Sequence, residues 1–544
     1  MGLREFSKSS TTALLIVLGW YGARFSNGEE PSQTMVRHSD NLTAHFETVG
    51  GRQVFYVDGW PFTALAVEIP WEELVYGRYH ETLRAYDHLY PAAHAIGLNT
   101  LKVPIKWSMI EPEKDVYDFS YVDHVKAMAE KHNLKLILGW FGHYASNDGN
   151  LYFNLTSEVF APFYVIDDEK TYPRAIDARG ASHHNAVSYE YDAITEREAK
   201  AFRAFMEHIK EIDAQTRTIL MIQMENEIAV FGGDREDHTL WRDHSPAANE
   251  LFAAKGFTSE LKYSAWRLSS NWLRRVTDAG AQAYRLPLFL NFVAGQVGDD
   301  VLGGSPGEDV ATYLDNCPSI TFVGANLYMP AESSVDDLRT ALTRYRVGRN
   351  LPAITETNSD RTFVAPRFAY IAIGEFGVPL FAPWALSISY RNLYQPLVLA
   401  DGTLGNGAFA LRDAYTALSK ALPQISFYAH TSQVKVFMAR VPGEKYSDTA
   451  EMDGIRVAAS GDENGQVIVV HSVASEFLIV GYRSDVSLWN AVFRWPALKR
   501  VRAEKGSWVG DRWRDDGEPL YEVDQVERRL GVHMDEPQAI RIRW

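Results

Sequence analysis

The chain predicts an α/β protein, a (β/α)8 TIM barrel followed by a C-terminal all-β sandwich domain, and three observations carry that expectation. From about residue 50, short apolar runs alternate with amphipathic helical stretches, the pattern of a parallel sheet wrapped by helices. Eight such runs can be counted, the number that a closed barrel needs. After about Gln424 the texture changes to short alternating strands separated by Gly- and Asp-rich turns, as in a sandwich.

Taken in order, Arg52 to Asp58 with the turn Asp58-Gly59 reads as a lead-in to a first barrel strand at Phe62 to Val67. Leu101-Lys102-Val103 and Leu134 to Leu138 are the second and third, and the fourth is the run from Thr218 that ends in Glu225-Asn226-Glu227. Leu288 to Asn291, Ile320 to Gly324, Ala353-Ile354-Thr355 and Pro379 to Ala382 supply strands five to eight. Helical segments such as Tyr121 to His132, Glu196 to Ala214, Lys262 to Ala279 and Val335 to Arg346 lie between them. Phe141 to Thr195 is polar and lacks helical period, so it reads as a long insertion walling the mouth of the barrel. Strands at Gln433 to Phe437, Gly465 to Val470 and Ala539 to Arg543 belong to the second domain. The expected division is a signal peptide or anchor over 1–27, a linker over 28–50, the barrel over 51–425 and the sandwich over 426–544, with the boundary near 424 to 430.

Composition narrows the function classes. At 544 residues and 46% hydrophobic the chain can bury a large core and exceeds what one core usually organises. With 54 basic against 70 acidic residues its formal charge is −16, which repels phosphate backbones, so no nucleic-acid partner is expected. Arg4 and Lys8 precede the apolar run Ala13 to Trp20, too short for a comfortable span; a secreted protein is the expectation, a signal anchor the alternative. The sequons Asn41-Leu42-Thr43 and Asn154-Leu155-Thr156 are compatible with a secreted glycoprotein. Cys317 is the only cysteine, which excludes an intrachain disulfide and a thiolate metal cluster.

The chemistry is concentrated where apolar strands end in carboxylates. A strand buried on both faces reads as continuous apolar sequence, and ionised groups belong where it emerges. Ile219 to Met224 runs into Glu225-Asn226-Glu227, and Leu351 to Thr355 runs into Glu356. Two carboxylates are the minimum for glycoside hydrolysis; a retaining enzyme needs one to donate a proton and one to attack the anomeric carbon, roughly 5 to 5.5 Å apart. Glu227 is assigned as acid/base and Glu356 as nucleophile, with the Asn226 amide holding a sugar hydroxyl. A less solvated Glu227 would keep its proton while donors around Glu356 keep that group charged. Glu225 is the alternative acid, since in a strand it shares a face with Glu227. Glu375, before the eighth strand, is the rival nucleophile, with a surface carboxylate as its default role.

Tyr328, a few residues past strand six, is placed to donate its hydroxyl to Glu356. Trp107, Trp140 and Trp384 follow strands two, three and eight and form the expected sugar-stacking cup, although a single Trp is more often packing. Glu68 and Trp71 follow strand one, either touching sugar or joining a buried polar cluster. His143, His183 and His184 lack partners at ligand spacing, so they read as loop histidines, and no metal and no cofactor are expected. An oligosaccharide or polysaccharide is the expected partner; nothing speaks to oligomeric state.

Phe55 to Phe62 (Phe-Tyr-Val-Asp-Gly-Trp-Pro-Phe), Gly97 to Pro112 (Gly-Leu-Asn-Thr-Leu-Lys-Val-Pro-Ile-Lys-Trp-Ser-Met-Ile-Glu-Pro) and Gln223 to Ile228 (Gln-Met-Glu-Asn-Glu-Ile) together resemble glycoside hydrolase family 35, the β-galactosidases, in the branch whose barrel is followed by one small β domain. The resemblance covers roughly residues 50 to 425, and the tail Ile540 to Trp544 is similar to that group's C-terminal domain. It implies release of terminal β-galactose, with the proton donor at Glu227, the hydroxyl-binding amide at Asn226, the nucleophile at Glu356 and the strand-six tyrosine at Tyr328. Two places depart from the family pattern. Val67-Glu68-Ile69-Pro70-Trp71 stands where many members have Gly, His and Tyr, and Gly139-Trp140-Phe141-Gly142 where they have a Cys-Ala-Glu-type segment. Another exo-β-glycosidase, or a catalytically silent sugar-binding barrel, fits the same residues.

Overall fold

The computed structural model describes residues 35, 37, 43–70, 83–84, 86–142, 160–231, 238–293, 308–359, 364–387 and 396–544. Residues 34–544 form one compact unit. The segment 1–27, both sequons' asparagines, Trp71 and His143 lie outside the described residues.

Eight parallel strands build the barrel: β1 (Ala64–Leu65), β2 (Thr100–Lys106), β3 (Lys135–Phe141), β4 (Ile219–Met224), β5 (Leu288–Val293), β6 (Ile320–Leu327), β7 (Ile354–Thr357) and β8 (Leu380–Phe381). From β2 to β8 each pairs with its sequence neighbours, and β8 pairs with β1. The last seam closes through β1 and β2, where the Lys102 amide donates to Val67 at 3.0 Å and the Ile69 amide donates to Lys102 at 2.9 Å. Helices follow the strands in turn, among them α1 (Leu89–Ile96), α2 (Ser120–Lys131), α3 (Asp192–Asp213), α4 (Arg274–Ala283), α5 (Glu308–Asn316), α6 (Val335–Arg344), α7 (Val364–Ile371) and α8 (Asn406–Ser419).

The strands are apolar throughout because both faces are covered. Along β2, Leu101, Val103 and Ile105 point to the helices, as do Leu136, Leu138 and Trp140 of β3. The opposite parity turns Ile137, Phe289, Phe322, Ala353 and Leu380 to the barrel axis, where Phe289 and Phe322 stack at 4.8 Å. A hairpin, His45–Val49 with Arg52–Val57, closes the N-terminal end by adding Phe55 and Val57 to that interior. Gly324 of β6 is required by the curvature, since a Cβ there would overlap the Thr355 side chain. Asn291, Asn326 and Glu356 lie toward the other end of their strands.

Tyr428 ends the last helix before the C-terminal strands, and Val434 begins them. These are β9 (Val434–Met438), β10 (Tyr446–Met452), β11 (Ile455–Val473), β12 (Glu476–Trp489), β13 (Arg502–Val509), β14 (Arg512–Gly517), β15 (Leu520–Asp524), β16 (Arg529–Met534) and β17 (Gln538–Arg543). All pair antiparallel, in the order β9-β11-β12-β17-β13-β14, with β10 on β11 and β16 joining β12 to β15. The pairing of the two long strands breaks between Gly461 and Gln466, so one half carries β9 and β17 and the other β10 and β16. Period-two alternation then serves two cores. Val467, Val469, Phe477 and Ile479 fill the interior of the β domain, whereas Ile468, Val470, Leu478 and Val480 pack onto the barrel's helices. Tyr370 of α7 meets Tyr482 of β12 edge-on at 6.2 Å in that seam.

Candidate active site

The fourth strand ends at Met224, before any of its three polar residues. Glu225 and Glu227 both take positive φ, 59° and 49°, so the chain coils away and sends the two carboxylates to different places. Glu225 is buried and accepts the Gly142 amide at 2.7 Å. Glu227 is half-buried, and its Oε1 accepts from Nδ2 of Asn326 at 2.9 Å. The expected shared face of the pair is therefore absent, because the extended backbone it presumes stops short of both residues.

Glu356 lies within β7 and is buried. Its Oε2 accepts the Tyr328 hydroxyl at 2.6 Å, and its Oε1 accepts Nδ2 of Asn291 at 3.1 Å. Lys102 Nζ stands 3.6 Å from Oε1. Asn291 also ties Glu356 to the other motif: its Oδ1 accepts the backbone N–H of Glu227 at 2.9 Å, and its Nδ2 donates to Asn226 Oδ1 at 2.7 Å. A backbone N–H can only donate, which fixes the Asn291 amide with its nitrogen toward Glu356. Asn326 accepts from Thr355 Oγ1 at 2.8 Å while donating to Glu227.

The electrostatics differ from the expectation in one respect. Glu227, past the end of its strand, is the more exposed of the two acids, and Glu356, inside its strand, is the buried one. Burial, and then the charge of Glu68, push the Glu356 carboxyl up from 4.5 to about 8, with Glu227 adding to the rise and Lys102 and the Tyr328 hydroxyl opposing it. Burial first, and the charge of Glu356 second, push the Tyr328 phenol well above its ordinary value, so it remains a donor.

Glu68 comes within this cluster. It is buried at the end of β1, with its Oε2 2.5 Å from Lys102 Nζ. Trp384 pairs by backbone with Glu68 on one side and Asn358 on the other, which sets it in the rim between β1 and β7. Two other tryptophans are corrections to the expected cup. Trp140 is fully buried, donates to Glu198 of α3 at 3.0 Å and packs against Phe202 and Phe205. Its parity on β3 faces the helices rather than the axis. Trp107 is equally buried in a short turn of helix after β2 and donates to Glu111 at 2.9 Å. Glu375 is bound by both guanidinium arms of Arg339, at 2.8 and 2.7 Å, away from the other acids. His183 bonds Asp177 at 3.1 Å, and among the described residues no group of side chains could hold a metal ion.

Three residues of the cluster were missed in the sequence: Lys102, Asn291 and Asn326. Each interrupts an apolar strand, and a buried polar group demands a partner. That interruption was the available signal.

The catalytic domain of a β-amylase from Paenibacillus polymyxa is similar to this chain with a TM-score of 0.48 and 12% identity, over 64% of this chain and 97% of that one. A β-galactosidase from the psychrophilic Marinomonas ef1 gives 0.44 and 12%, over 65% and 59%. Endo-glycoceramidase II from Rhodococcus sp., in a cellobiose-like imidazole complex, gives 0.41 and 12%, over 89% and 98%. No family model and no curated protein matches the chain.

Proposed function

We propose that the chain is a retaining glycoside hydrolase that removes terminal β-linked sugars, with Glu356 as nucleophile and Glu227 as acid/base. The observation that carries this reading is the donor set around Glu356. A phenol O–H, an amide N–H and a nearby ammonium all face its oxygens, donors that favour the ionised form against the burial and neighbouring acids that oppose it. The turn that carries Glu227 hangs by its backbone from the same Asn291, which brings the two acids to one end of the barrel. A double displacement requires the narrower carboxylate separation, roughly 5 to 5.5 Å, rather than that of an inverting pair.

In the first step Glu356 attacks the anomeric carbon as Glu227 protonates the departing oxygen; in the second, Glu227 takes a proton from water, which then releases the sugar. Asn226 turns its amide oxygen to Asn291, which leaves its NH2 as the donor for a hydroxyl beside the reacting carbon. For the sugar, the resemblance to family 35 supports β-galactose, while Glu68 in place of that family's pattern after strand one leaves the glycon to be tested. A panel of nitrophenyl β-glycosides on wild type, Glu227→Gln and Glu356→Gln tests mechanism and sugar together. Equal turnover in all three would remove both roles, and a silent wild type would support a binding barrel. Secretion belongs to the same proposal and is tested by the N-terminus of the exported protein.

A second reading reverses the two roles, favoured by the elevated pKa of Glu356 and the greater exposure of Glu227. Azide separates them. With an activated substrate, Glu356→Gly yields the α-glycosyl azide if Glu356 is the nucleophile, and the β-azide if it is the acid.

A further inference from the structure

Lys102 is a charge in a strand that is otherwise sealed. It is 1% exposed, and from β2 it reaches across the barrel interior: 2.5 Å to Glu68 Oε2 beyond β1, then 3.4 Å to the Thr355 carbonyl and 3.6 Å to Glu356 Oε1 on β7. The two carboxylate distances differ in kind. The first is a charge-assisted hydrogen bond; the second lies beyond hydrogen-bond length but well within Coulombic range.

Resting on the reading of Glu356 as nucleophile, we propose that Lys102 is a positioning residue that sets the ionisation of Glu356, and that Glu68 tethers the ammonium short of a direct bond. A cation bonded directly would occupy a lone pair that the carboxylate needs for attack, whereas one held just outside lowers the cost of its charge and leaves the oxygen free to react. Glu68 therefore works in two senses. It anchors Lys102, and its own charge opposes ionisation of Glu356. The groups facing Glu356 are Glu68 beyond β1, Lys102 on β2, Glu227 after β4, Asn291 on β5 and Tyr328 after β6; of these the two acids raise its pKa and Lys102 and Tyr328 lower it.

The pH profile of kcat/KM reads the proposal directly. Lys102→Met should move the acidic limb up by about one pH unit and Glu68→Gln down by a similar amount, the latter with a lower kcat as the released ammonium closes on Glu356. Lys102→Arg should stay near wild type, and the double variant Glu68→Gln/Lys102→Met, which removes both charges and leaves neither buried alone, should move less than either single change. Limbs that coincide in wild type, Lys102→Met and Glu68→Gln overturn the proposal. A second measurement needs no turnover: the stability gained on Glu356→Gln, followed against pH in each background. The pH at which that gain levels off should rise without Lys102 and fall without Glu68, and one common pH for all backgrounds overturns the proposal even if no glycoside is cleaved. Loss of the glycosidase reading alone would leave this second result intact.

Discussion

The side-chain oxygen of Asn291 accepts the backbone N–H of Glu227 at 2.9 Å, so an amide on β5 holds the turn that carries one acid while its nitrogen holds the other. Neither the Glu227 backbone nor the Glu356 carboxylate can shift without disturbing that side chain. Asn291→Ala should lower kcat/KM by about 100-fold, comparable to loss of one preorganised donor, with only a modest fall in Tm. Steady-state kinetics beside a melting curve checks it; unchanged kinetics would show that the bridge has no part in turnover.

Tyr328→Phe removes the 2.6 Å donor to Glu356. Because that bond favours the ionised carboxylate, its loss raises the Glu356 pKa. The acidic limb of the rate profile should move to higher pH, and kcat should fall roughly 10- to 100-fold near neutrality.

Glu356→Gln should stabilise the fold at alkaline pH. The carboxyl sits at about 8 in the native state against 4.5 as its ordinary value. Between these the native state keeps a proton that the unfolded chain has released, so wild-type stability falls as pH rises through the window. The variant lacks this dependence and should gain on the order of a few kcal/mol by pH 8 and almost nothing at pH 4. Urea midpoints at the two pH values provide the comparison.

Gly142→Ala tests the packing behind the mouth. A Cβ there would overlap Glu198 Oε1 and come within 2.8 Å of Glu225 Oε1. Glu198 cannot give way easily, since Trp140 and Trp272 donate to its two oxygens at 3.0 and 2.6 Å. A loss of about 1 to 3 kcal/mol is expected from denaturant unfolding.

Glu375→Gln should leave the rate unchanged and cost at most about 1 kcal/mol, because its partner Arg339 is half-buried and keeps Asp336 at 2.6 Å. An inactive but folded variant would restore Glu375 as the nucleophile.

The sequence alone determined the barrel and the change to antiparallel strands in the C-terminal part, because a run covered on both faces must be apolar and a strand with two different surroundings must alternate. The same logic marked Glu356 and the Glu225-to-Glu227 turn as places where strands meet water. It could not tell which side of a doubly covered strand a residue faces, since both sides are apolar; hence Trp140, one residue from the axis-facing parity, was read as sugar-facing and lies against α3 instead. Nor could it foresee that Lys102, Asn291 and Asn326, from strands two, five and six, meet Glu356 and Glu227, because closure of the sheet brings together residues 64 to 254 positions apart and no local pattern records that distance. The charge balance of the site, one ammonium to three acids among the described residues, was decided by that closure.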